Sequence, residues 1–391
     1  MLHESIKPML YGRITVYPPP SHGKIDFLEG LRGLCCLIVV IDHCVNTFYP
    51  ALRWTTEDGV WGGIRAWIAL SPLNFIYSGI TPVYIFFILS GFVLSFKFFK
   101  TFDINIPIDG AIKRYFRLVV PVLASMVLIY IITKFLYIFG ITEKSGKHFW
   151  DIFYQSFYAA FFKGKSWNGV LWTMPIELKG SMLVFALAVL FSKIKFRYVV
   201  YIISAVLTYE SLLILFVFGM FMCDEYVTRN NYRIMKIDKN IILVMLVLGA
   251  VFATFPYQRT NVDIDGSIYG LIWIDSLKTW VANHRLYHLL GTIILFVCFM
   301  NSDGIRKVFE GKILLWLGKI SFSLYVLHSV FIFAIHSLLI KMISGNSPQM
   351  MIFGMIVTLP ICLVVSYFFE KFIDRSGIKF ANYVCRLVKK S

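Results

Sequence analysis

Arg32 and His43 are ionisable residues in an otherwise apolar run, Leu31-Arg32-Gly33-Leu34-Cys35-Cys36-Leu37-Ile38-Val39-Val40-Ile41-Asp42-His43. On a helix they lie eleven residues apart, about 20° past three full turns, so they share one stripe with a rise of about 16 Å between them. Ionisable groups inside a membrane-crossing helix are costly and are functional candidates by default. An imidazole so placed suits proton abstraction from a hydroxyl; a lone histidine in an apolar helix also suits hydrogen-bonded packing. Glu177, in Leu171-Trp172-Thr173-Met174-Pro175-Ile176-Glu177, is expected at a depth similar to His43. A carboxylate paired with an imidazole orients the ring and stabilises its cation. The competing reading is a structural ion pair of Glu177 with Lys179 or with a neighbouring helix. Asp42 points about 100° away from His43 on the helix and is assigned no role.

Lys113, Arg114 and Arg117 precede another apolar run. Two arginines three residues apart share a helix face and can grip a multiply charged phosphate, or anchor the helix by snorkelling to headgroups. Ser90-Gly91 allows close helix approach and offers one hydroxyl. Ser321, Tyr325 and His328 fall on neighbouring turns, the pattern of a polar stripe lining a cavity. Glu370 and Asp374, four apart, read as helix-end anchors. The cysteines at 35, 36, 44, 223, 298, 362 and 385 lie in or near apolar runs with no metal or redox spacing, so they read as small buried residues, and no metal is expected.

These residues must be positioned by membrane helices. The chain has 391 residues, 58% hydrophobic and only 15% charged, against about 25% charged in soluble domains. Apolar runs of crossing length recur from end to end, and lipid demands that they be helical. The expected fold is an all-α integral membrane protein of about ten transmembrane helices, at 31–50, 75–96, 117–138, 170–192, 198–208, 211–223, 241–256, 286–301, 313–340 and 350–370. The run 198–223 is divided because both flanks are basic (Lys193, Lys195 and Arg197; Arg229, Arg233, Lys236 and Lys239). An even number of crossings must separate two cytoplasmic loops. Both termini are then cytoplasmic. The expected organisation is a cytoplasmic N-terminal segment 1–24 without a cleavable signal, a transmembrane domain 25–375 and a basic cytoplasmic tail 376–391. The net charge of +16 comes from residues flanking apolar runs, as topology determinants do, and not from a nucleic-acid site.

The chain resembles the acyltransferase-3 family of ten-helix membrane acyltransferases from Ile25 to about Glu370. The resemblance lies in IDFLEGLRGLCCLIVVIDHC (25–44), with an arginine and a histidine separated by ten residues; VYIFFILSGFVLSF (83–96); KRYFRLVVPVL (113–123); LWTMPIELKGS (171–181); and GKISFSLYVLHSV (318–330). Cys35-Cys36 and Asp42 depart from the usual pattern. The resemblance implies transfer of an acyl group, often acetyl from acetyl-CoA, to a hydroxyl of a carbohydrate, glycolipid or related acceptor, as in polysaccharide modification. It maps the essential histidine and arginine onto His43 and Arg32, in a cell or inner membrane. On this layout Arg114, Arg117 and Arg32 meet the donor phosphates and His43 acts as base with Glu177 orienting it. Ser90, Tyr325 or His328 then donates to the developing oxyanion. A polytopic transporter or flippase for a lipid or saccharide is the alternative class, although no repeated halves are seen.

Overall fold

The structure, a computed structural model, describes residues 25–57, 59–143, 146–192, 194, 196–228, 237–343 and 347–390. Among them every regular element is helical, because a helix satisfies its own backbone groups within one segment. The segment 1–24 and the flanking residues Lys193, Lys195, Arg229, Arg233 and Lys236 lie outside the described residues.

The principal helices are α1 (Asp26–Phe48), α2 (Ile80–Thr101), α3 (Asn105–Ile138), α4 (Met174–Phe191), α5 (Arg197–Thr208), α6 (Leu213–Thr228), α7 (Lys239–Phe252), α8 (Trp280–Asn301), α9 (Lys312–Leu339), α10 (Pro348–Phe369) and a C-terminal α11 (Arg375–Lys390). Side chains of Asp238, Thr279 and Ser347 accept from first-turn backbone N–H groups of α7, α8 and α10, which satisfies donors that a helix start leaves open. Six spans are long and apolar enough to cross a membrane: α2, α3, Gly169–Phe191 containing α4, α8, α9, and Pro348–Lys389 running from α10 into α11. The protein is therefore a multi-pass membrane protein. The apolar helices α5 and α7 are shorter, at 12 and 14 residues. A turn at 209–212 separates α5 from α6, and Arg285 donates to the Tyr209 carbonyl there at 2.9 Å.

Helix α2 contacts α1, α4, α6 and α8, while α1 lies along α9 and α11 packs on α3. The α1–α9 crossing depends on glycine. A Cβ on Gly318 would stand 2.1 Å from the Glu29 carbonyl oxygen, and one on Gly33 2.4 Å from that of Leu314. Small residues let helix backbones approach closely in membranes. This approach sets the polar stripe of α1 against that of α9: the Cys36 thiol donates to the Ser321 carbonyl at 3.2 Å, and His43 meets His328 edge to face with ring centroids 4.8 Å apart. Gly91 does the same for α2 against α6, where a Cβ would stand 2.2 Å from the Phe216 carbonyl oxygen. All seven cysteines are buried and unpaired.

Candidate active site

Two cavities lie toward opposite ends of the α1–α9 pair. The larger, about 690 Å³, gathers Arg32 from α1, Ser90 from α2, Arg114 and Arg117 from α3, Glu177 from α4 and Tyr325 from α9. It also receives Glu29, Lys319, Glu370, Asp374 and Arg375. Most of these charges are paired. Arg32 donates to Glu29 at 3.1 Å, Arg375 donates to Glu370 at 2.9 Å, and Arg114 is bonded to Glu177 and, through Nε at 2.8 Å, to Ser181. Arg117 differs, because its buried Nε has no hydrogen-bond partner, and neither has the buried Oδ1 of Asp374. Lys319, exposed on α9, adds a fifth cation. Against the four carboxylates Glu29, Glu177, Glu370 and Asp374 that is a surplus of one cation, and the unpartnered Nε of Arg117 is open to a phosphate.

One expectation is corrected here. Glu177 does not pair with His43: its carboxylate accepts from Ser90 at 2.7 Å and from Arg114. Residue spacing gave its depth, but the rotation of α4 turns it toward α2 and α3. Its partner is thus a neighbouring helix, and Lys179 is exposed instead. Glu370, expected with Asp374 to anchor a helix end, caps α10 and pairs with Arg375. The chain passes from α10 to α11 through a π-helical turn, Glu370–Asp374, which buries both carboxylates at 8% and 7% exposure in the cavity wall. Single π turns of this kind recur at functional sites.

The smaller cavity, about 270 Å³, holds His43. Its Nδ1 lies 2.9 Å from the Val39 carbonyl oxygen. A carbonyl only accepts, so Nδ1 carries the proton and a neutral ring keeps its lone pair on Nε2, as a base requires. The neighbouring charge is Asp42, whose Oδ2 is 3.5 Å from Nδ1; its carboxylate reaches back around the helix despite the 100° offset. Asp42 in turn accepts from Arg53 at 2.5 Å and from Asn46 at 3.1 Å. Gly79 makes room for it, since a Cβ there would stand 2.7 Å from Asp42 Cγ. Asn46 accepts from Arg259 at 2.5 Å, and His284 and His288 complete the wall. Arg53, Asn46, Arg259, His284 and His288 were not singled out in the sequence. Only Asn46 carried a signal, four residues after Asp42 and so on the same helix face.

Val83 and Tyr325 line both cavities and stand between them. The Tyr325 hydroxyl lies 2.8 Å from the Val170 carbonyl oxygen and 2.9 Å from Thr173 Oγ1. Its proton is directed to Val170, and the Ser90 proton goes to Glu177. Neither hydroxyl is free to serve an oxyanion in this conformation. His328 is fully buried, with Nδ1 3.1 Å from the Leu324 carbonyl oxygen and Nε2 without a partner; like His43 it presents a lone pair. Among the described residues no His, Cys, Asp and Glu side chains form a group that could hold a metal ion.

The protein is an acyltransferase of a membrane family. Residues 25–367 match the acyltransferase domain of the acyltransferase-3 family, and the chain belongs to that family. It is also similar to the O-acetyltransferase PaAT-1 of Phomopsis amygdali, at 20% identity over 420 aligned positions covering 92% of this chain and 84% of that protein. No solved structure matches it.

Proposed function

We propose that the protein transfers an acyl group, acetyl in the simplest case, from acyl-CoA to a hydroxyl of a carbohydrate, glycolipid or related acceptor. The supporting observation is the division of labour between the two cavities. Arg32, Arg114 and Arg117 line the one that can take phosphates, and His43 lines the other, with only Val83 and Tyr325 common to both. The rise of about 16 Å along α1 from Arg32 to His43 is of the order of a pantetheine arm. The nucleotide therefore rests among the arginines while the thioester passes Tyr325 to meet His43.

In the reaction the acceptor oxygen attacks the thioester carbonyl carbon. The C–O bond forms, the C–S bond breaks, and the coenzyme leaves as a thiolate. His43 Nε2 takes the hydroxyl proton and returns it to the thiolate sulfur. Asp42 steadies the imidazolium. Glu177 keeps the place given it in the reaction by positioning Arg114. Of Ser90, Tyr325 and His328, His328 is the one with a ring nitrogen that lacks a partner; it would serve an oxyanion only as the neutral Nε2–H tautomer, giving up its Nδ1–H contact with the Leu324 carbonyl. This reading keeps ten crossings, with α1, α5, α6 and α7 completing the six long spans, and both termini in the cytoplasm. The organisation is then a cytoplasmic segment 1–24, a transmembrane domain 25–375 and a tail 376–391 placed at the inner membrane surface.

The test is transfer itself. Purified protein in detergent, given radiolabelled acetyl-CoA and a membrane glycolipid extract, is expected to move label into an acceptor fraction. A folded protein that neither transfers label nor releases coenzyme from acetyl-CoA contradicts the proposal.

A further inference from the structure

The smaller cavity carries more positive charge than its own residues offset. Its lining includes two guanidiniums, Arg53 and Arg259, and one carboxylate, Asp42; the other titratable groups facing it are His43, His284, His288, Tyr77, Tyr257 and Tyr325. Arg53 is the cation that Asp42 neutralises: it also donates to the Tyr77 carbonyl at 2.5 Å and lies over the Tyr77 ring at 4.6 Å. That leaves Arg259. Its Nη2 donates to the neutral amide oxygen of Asn46, and its buried Nε has no hydrogen-bond partner. The Nε of Arg53 is buried and unpartnered as well. Burial first, and then the nearby Arg53 charge, hold the Arg259 cation below the ordinary guanidinium range. Asn46 joins Arg259 to Asp42, which places this surplus charge one hydrogen-bonded step from the carboxylate beside His43.

We infer that this cavity binds acceptors that carry a single negative charge, a carboxylate or another singly charged oxyanion, close to the hydroxyl that reacts, with Arg259 as the residue that selects for it. The inference rests on the acyl-transfer reading for what happens to the bound molecule, but not for the binding. One surplus guanidinium matches one negative charge, and a planar fork with an open Nε suits a carboxylate. Asp42 opposes an anion placed on its own side, which directs the charged group toward Arg259 and leaves the hydroxyl near His43. At about 270 Å³ the space takes one ring of an acceptor, with Trp172 and Tyr257 forming apolar wall.

The test compares methyl β-glucuronide with methyl β-glucoside, which differ by the carboxylate, in calorimetric titration of the purified protein in an uncharged detergent. The glucuronide is expected to bind at least tenfold more tightly, as one charge-assisted pair gives, and added salt is expected to narrow the difference. Arg259→Gln is expected to abolish the preference and Arg259→Lys to keep part of it. Equal binding of the two glycosides, binding of neither, or a preference that survives in Arg259→Gln overturns the inference. Acetyl transfer is measured on the same samples. Charge-selective binding without any transfer leaves the anion site standing and removes the acyl-transfer reading, so the two fail separately.

Discussion

Replacing Tyr325 with phenylalanine separates a wall residue from an oxyanion donor. The hydroxyl is buried, 2.8 Å from the Val170 carbonyl oxygen and 2.9 Å from Thr173 Oγ1. Its loss leaves one carbonyl and one hydroxyl without this partner. A hydrogen bond between membrane helices is worth about 0.6 kcal/mol on average and at most about 1.7, while a buried group left unsatisfied costs about 1–3 kcal/mol. Thr173 also has the Val170 carbonyl within 3.4 Å, so the two stranded groups can pair with each other. A destabilisation of about 1–2 kcal/mol is therefore expected, read as a lowered midpoint of thermal unfolding in detergent. Removing an oxyanion donor instead lowers kcat by about 10²–10³-fold. Because the Tyr325 proton is directed to Val170, kcat for Tyr325→Phe is expected to stay within about tenfold of wild type. A folded Tyr325→Phe protein with kcat reduced a hundredfold or more refutes this reasoning and returns Tyr325 to the oxyanion.

Other substitutions test other parts of the structure. Gly318→Ala places a Cβ against the Glu29 backbone and forces α1 from α9; overpacking of this kind costs about 1–3 kcal/mol, and a lowered yield of folded protein and a lowered unfolding midpoint are expected. Arg117→Gln removes the cation whose buried Nε lacks a partner and is expected to raise the KM for acetyl-CoA about tenfold or more with kcat little changed, measured from initial rates over a donor series. Asp42→Asn leaves one acceptor where two carboxylate oxygens serve Arg53 and Asn46 and removes the charge 3.5 Å from His43 Nδ1; transfer is expected to slow about tenfold, a small part of what a general base supplies, and the unfolding midpoint to fall because Arg53 loses its counter-charge.

Much of the site was legible because membranes make charge conspicuous. Arg32, His43, Arg114, Arg117 and Glu177 stand out against apolar neighbours, and each lines one of the two cavities. Helix periodicity also placed Ser321, Tyr325 and His328 on one side of α9. What periodicity does not fix is the rotation of one helix against another. Glu177 was given a depth but not a direction, and it turned to Arg114. Asp42 was set aside by a wheel projection that ignores how far a carboxylate reaches. Arg53 and Arg259 were illegible for a different reason. They lie in connections between helices, where position follows from tertiary contacts such as Asp42–Arg53 and Asn46–Arg259, and two charged residues in loops are unremarked in any sequence. The π turn at Glu370–Asp374 likewise leaves no mark in spacing.

His43 is the proposed base for acyl transfer, with the donor held in the other cavity. The most direct measurement compares wild type with His43→Ala for two quantities, binding of radiolabelled acetyl-CoA and transfer of its label to an acceptor. Donor binding is expected to be unchanged in His43→Ala and transfer reduced by about 10²–10⁴-fold. Undiminished transfer by a folded His43→Ala protein contradicts this assignment.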